Sequence, residues 1–105
     1  AEALCDAALA EARRLNLKPV SVAVVNSGGG LVLHKVQDGV GLLTPELALV
    51  KARSCLALHV STRVLREKYA QAKPSQLSAM VAIAGGELAP FPGGVLCLDG
   101  GGIVG

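Results

Sequence analysis

Cys55 and His59 stand four residues apart near the middle of the chain. On a helix that spacing sets two side chains next to each other. The pair suits half of a metal site, or a thiol–imidazole couple in which the ring takes the sulfur's proton. It equally describes a buried cysteine followed by a histidine at a helix end. No second pair of ligands occurs at a zinc spacing, and the one other imidazole is His34. Strand alternation puts His34 on the face opposite Leu33. There it is either a solvent-facing strand histidine or, beside an apolar groove, an axial heme ligand. His34 and His59 are therefore the metal-ligand candidates. Lys51 interrupts an otherwise apolar stretch, and a cation in such a place needs a partner or a ligand. A carboxylate, a substrate acid or a heme propionate would serve; alternatively its stem lies along the surface and its amine reaches water. Gly85-Gly86 and Pro92-Gly93-Gly94 offer backbone N–H groups able to hold an oxyanion or admit a close neighbour, although turn geometry alone also accounts for them. Lys51, Gly85, Gly86, Pro92, Gly93 and Gly94 form the candidate ligand site.

Other chemistries are excluded by what the sequence lacks. No G-x-x-x-x-G-K-[ST] run is present, and no G-x-G-x-x-G follows a strand and opens a helix. There is no Ser-His-Asp order, no paired carboxylates near a pocket and no G-x-S-x-G elbow. Ten basic and eight acidic residues leave a net charge of +2, scattered rather than striped, and the chain holds one Phe, one Tyr and no Trp. Nucleic acid is accordingly not expected as a partner. No apolar run reaches the roughly 18 residues of a membrane span, and Glu2 and Asp6 stand where a signal peptide would be basic. A cytoplasmic location is expected, with a removed leader left open. Cys5, Cys55 and Cys97 are odd in number, widely spaced and set among apolar neighbours, which reads as three buried thiols.

These side chains need elements to position them. Residues 2–16 have helical apolar spacing, with acids early, Arg13 and Arg14 late, and Pro19 as the stop. Residues 20–25 and 31–36 are apolar runs around Asn26-Ser27-Gly28-Gly29-Gly30, a β-hairpin with room for a bulge. Thr44-Pro45-Glu46 opens a helix that stays apolar nearly all round to Val60, with Thr44 as its expected cap and Leu58 in its expected core. Further helix is expected over 61–72 and, capped by Ser75, up to Ile83. Strands follow near 95–98 and 103–104. The order α-β-β-α-α-β-β defines one α+β domain with a mostly antiparallel sheet. With 51% hydrophobic residues and a mean hydropathy of +0.52, the chain carries more apolar surface than a lone monomer of 105 residues tolerates. A homo-oligomer interface is the expected cover.

The ordered set Val22 to Val32 with its Asn-Ser-Gly-Gly-Gly, Asp38-Gly39, Ala48 to Ala52, Pro92-Gly93-Gly94 and Asp99-Gly100 through Gly105 resembles the GlcG/HbpS family, which includes the C-terminal domain of PduO-type proteins. The resemblance covers residues 1–105 as a single domain. It implies about five antiparallel strands flanked by helices, assembly as a dimer up to an octamer, and in some members heme binding. It also implies that the family's C-terminal strand and helix lie beyond Gly105, and that Asn26 and Lys35 stand where an Asp and an Arg are common. The function expected is an oligomeric binding or accessory protein for a small ligand, heme or another tetrapyrrole. The alternative is an enzyme or accessory subunit acting on a small hydroxy- or oxo-acid in glycolate- or diol-type catabolism, with Lys51 holding the carboxylate and His59 or Cys55 moving protons.

Overall fold

Glu2 near the start of the first helix and Arg13 and Arg14 at its end each meet the dipole end that favours them. In the computed structural model, which describes residues 1–105, this helix α1 spans Glu2–Arg14. It ends two residues earlier than the apolar spacing predicts. Asn16 takes a left-handed φ of 53°, and the Leu17 N–H closes on the Ala12 carbonyl at 3.0 Å.

The expected hairpin forms from β1 (Ser21–Val25) and β2 (Leu31–Val36). Val22 lies opposite Lys35 and Ala23 opposite His34. Between Val24 and Val25 the register slips, so Val32 has no counterpart, which is a β-bulge. Asn26 builds the turn: its Oδ1 accepts the N–H groups of Gly28 at 3.0 Å and Gly30 at 2.9 Å. The Lys35 charge is met from α1. Its Nζ donates to Asp6 at 2.7 Å and Glu2 at 3.1 Å, and Asp6 first, then Glu2, hold the ammonium above the ordinary lysine range. That contact fixes α1 over the Lys35 face of the hairpin and leaves His34 on the other face.

Helix α2 (Leu43–Leu58) starts one residue before Thr44, which therefore does not cap it; Leu42 occupies the cap without a side-chain bond. Pro45 sits in the first turn, where its missing N–H removes no bond. No residue of α2 from Leu47 to Leu56 is exposed, so the helix is covered on more than one side; Ser54 and Cys55 are its buried residues and Leu58 is half-buried. Past the left-handed His59, the Ser61 hydroxyl accepts the Val64 N–H at 3.3 Å and caps α3 (Thr62–Leu65). A π-helical segment (Arg66–Gln71) follows directly. Pro74, not a Ser75 cap, opens α4 (Pro74–Ile83), because its fixed φ suits the first helical position.

The chain closes with β3 (Leu98–Asp99) and β4 (Gly102–Ile103). The expected five-stranded sheet is not present; the domain is α+β with two separate two-stranded antiparallel sheets, β1–β2 and β3–β4. Gly100 and Gly101 both adopt positive φ and turn the segment back on itself. Its backbone groups are then satisfied within its own hairpin, which Cys97 N–H to Gly105 carbonyl (2.8 Å) and Val104 N–H to Cys97 carbonyl (2.9 Å) prolong.

Leu65 and Thr62 are the largest fully buried side chains, beside Cys5, Cys55 and Ser54. Leu65→Ala should therefore cost about 2–5 kcal/mol in urea denaturation, and Leu58→Ala distinctly less. Equal losses from the two variants would contradict this core.

Candidate functional site

Strand β1 has β2 along one edge and no strand along the other. A cavity of about 410 Å³ runs beside that free edge. Residues of both strand faces, Ser21 to Val25, line it, as an edge requires; Leu4 and Ala8 of α1, Leu47 and Lys51 of α2 and the segment Gly93 to Cys97 complete the walls. The volume lies within the range of small-molecule sites.

The position of residues 93–97 is set by a contact with no spare room. A Cβ on Gly94 would stand 2.7 Å from Cys55 Sγ and 2.8 Å from both the Lys51 carbonyl oxygen and Thr62 Cγ2. With hydrogen alone, Gly94 lies on the α2 backbone and is buried. There its N–H donates to Thr62 Oγ1 at 2.8 Å, and its carbonyl accepts the Thr62 N–H at 3.1 Å. Gly93, at φ 130°, places its backbone against the Lys51 side chain.

Three basic side chains in the protein are half-buried: Lys35, Lys51 and Arg53. Lys35 is met by Asp6 and Glu2. Arg53 donates to the Gly29 carbonyl at 2.9 Å and lies 3.8 Å from Glu87. Lys51 joins no ion pair and is the one charged group lining the cavity. A cation facing apolar walls without a counter-ion can hold an anionic group of a ligand. A shallower cleft beside Gly28, Gly29 and Gly30 contains Arg53 and Glu87, but that cation is already engaged.

The structure brings together Lys51, Gly93 and Gly94, with Pro92 leading into the same loop. The Gly94 N–H is committed to Thr62, so Gly94 shapes the wall and presents no free donor. Gly85 and Gly86 lie elsewhere, in an exposed left-handed turn after α4 with open space around them. Neither histidine lines the cavity. His34 is half-buried and its Nε2 is 2.8 Å from Ser21 Oγ, a cross-strand hydrogen bond on the face away from α1. His59 is exposed at the end of α2, whereas Cys55 is buried, so the two do not form a working pair. Burial pushes the Cys55 thiol up, against the smaller opposing effect of backbone hydrogen bonds at Thr62 and at Cys55 itself. No group of three or more His, Cys, Asp or Glu side chains is arranged to hold a metal ion, and no helix is long and apolar enough to cross a membrane.

Of the three thiols expected to be buried, Cys5 and Cys55 are, but Cys97 is a half-buried free thiol that lines the cavity.

Comparison with known proteins bears on the whole domain. The sequence model of the family described as "Haem degrading protein HbpS-like" matches residues 1–105. The chain belongs to the HbpS-like family. Among solved structures, this HbpS-like chain is similar to a PduOC–heme complex, with a TM-score of 0.82, 24% identity, 94% of this chain and 70% of that one covered. It is similar also to the Klebsiella pneumoniae protein ORFY, with a TM-score of 0.81, 21% identity and coverage of 97% and 70%. Among curated proteins none matches.

The Thr62–Gly94 clasp makes a measurable claim. Thr62→Val keeps the shape and removes the acceptor, leaving the buried Gly94 N–H unpaired, and should cost about 1–3 kcal/mol. Hydrogen exchange at the Gly94 amide should accelerate more than at the α2 amides. Unchanged protection at Gly94 would show that Thr62 does not hold the loop.

Proposed function

We propose that this HbpS-like domain is a binding or accessory protein for an amphiphilic small acid, a tetrapyrrole such as heme in the first instance, seated in the cavity beside β1. One observation carries the reading: Lys51 is an unpaired cation in a largely apolar cavity. The donor chemistry suits the ligand class. Apolar strand and helix side chains would cover the macrocycle, and Lys51 would take a propionate. The family match and the likeness to a PduOC–heme complex support the same direction. When bound, heme would supply iron-centred ligand or redox chemistry; the protein's own part is to bind, orient and shield it.

Self-association belongs to the same proposal. Leu42 is 96% exposed and Ile83 86% exposed, and Leu43 and Phe91 are exposed as well. Apolar side chains left in water at this density favour burial against further copies of the chain.

The alternative, an enzyme acting on a small hydroxy- or oxo-acid, keeps Lys51 as the carboxylate holder. Its two proton-moving candidates, His59 and Cys55, both lie off the cavity. The binding reading needs only side chains that line it.

Titration of the purified chain with hemin tests the proposal. A Soret shift should appear. Lys51→Ala should weaken binding by about tenfold or more, the worth of a hydrogen bond to a charged group, while Lys51→Arg should retain most of the affinity. Absence of a Soret shift, or equal affinity in Lys51→Ala, would overturn it.

A further inference from the structure

The free edge of β1 carries backbone groups without a partner. The Gln37 N–H reaches the Val20 carbonyl at 3.1 Å, while Val22 lies opposite Lys35 and Val24 opposite Leu33. Antiparallel pairs alternate between bonded and non-bonded positions, so Val20, Val22 and Val24 are the residues that bond across to the second strand. Ser21 and Ala23 therefore turn their N–H and C=O groups away from β2 and towards the cavity. No other backbone or side-chain group of the protein bonds to these four. Both residues are half-buried. Polar backbone groups withdrawn from water in this way cost free energy until something pairs with them.

Their spacing matches a further strand. A donor and an acceptor recur at every second residue, roughly 7 Å apart, which is the repeat of an extended peptide. The walls around them are largely apolar, with Leu4, Ala8, Leu47 and Val95 among the lining side chains. At the far end, Gly105 stands against the Val25 carbonyl, so closely that a Cβ on it would lie 2.5 Å from that oxygen. A strand running along the edge from Ser21 meets the chain there and has to end within the cavity. A chain end brings a charge with it. Lys51, the one charged group lining the cavity and without a counter-ion, attracts a carboxyl end and repels an amino end.

We propose that the free edge of β1 takes the carboxyl-terminal strand of an apolar peptide, paired through the Ser21 and Ala23 backbone, with its terminal carboxylate drawn to Lys51. In such strand addition the main-chain bonds supply affinity and the cavity walls select the side chains. The carboxylate selects a chain end. Peptide binding of this kind is independent of tetrapyrrole binding, and the two ligands compete for one cavity.

The test is calorimetric titration with an acetylated hexapeptide of alternating serine and valine that ends in a free carboxylate, together with amide hydrogen exchange on the same samples. The peptide should bind, and exchange should slow at the Ser21 and Ala23 amides but not at Val22 and Val24, which are already bonded to β2. The same peptide closed as an amide should bind about tenfold more weakly to the native chain, and Lys51→Ala should bind the acid and the amide alike. Two further peptides carry N-methyl groups on the odd or on the even residues. One of them should lose binding, because its donors face β1, and the other should keep it. No binding of the parent peptide, equal binding of both methylated peptides, or unchanged exchange at Ser21 and Ala23 would overturn the proposal. Protection of Ser21 and Ala23 that rises with protein concentration in the absence of peptide would assign the edge to a second copy of the chain and overturn it as well.

Discussion

The segment from Pro92 to Val95 can lie on helix α2 because residue 94 has no side chain. A Cβ there would collide with Cys55 Sγ, the Lys51 carbonyl and Thr62 Cγ2 at once, and these obstacles are two fully buried side chains and helix backbone, none of which can move aside. The clasp between Gly94 and Thr62 then replaces the water that both backbone groups lose on burial. Much follows from this one approach. It sets Gly93 beside Lys51 and brings Gly93, Gly94, Val95 and Cys97 into the lining of one cavity with β1 and α2.

Charge placement separates the parts of the domain that hold the fold from the part proposed to take a ligand. Lys35 ties the hairpin to α1 through Asp6 and Glu2, and Arg53 ties α2 to the glycine turn and to Glu87. Both are half-buried cations whose interactions lie within the protein. Lys51 is equally half-buried but finds no acid. Its partial desolvation is left without an internal compensating charge, which is the condition under which an external anion gains most from binding.

Local patterns carried much of this into the sequence. The hairpin was legible because apolar runs flank Asn26 and three glycines, and α2 because Thr44-Pro45-Glu46 reads as a helix start, although Thr44 proves to lie inside the helix rather than at its cap. Lys51 stood out because its neighbours are apolar. Three features were not legible, each for a physical reason. Gly85-Gly86 and Gly93-Gly94 look alike in sequence, yet one pair sits in open solvent and the other against α2; only long-range packing tells them apart. Cys55 and His59 have helical spacing, but the left-handed turn at His59 ends the helix between a buried and an exposed position. The five-stranded sheet was inferred from resemblance, whereas the glycines at 100 and 101 fold the last strands into a hairpin of their own.

The cavity along the free edge of β1 is the proposed meeting place of this protein and its ligand. Amide chemical-shift mapping with a diamagnetic metalloporphyrin, added to isotopically labelled protein, tests it most directly. Shifts should concentrate in Ser21–Val25, in α2 around Lys51, and from Gly93 to Cys97. Shifts centred on His59 or on Gly85 and Gly86, with β1 and residues 93–97 unmoved, would contradict it.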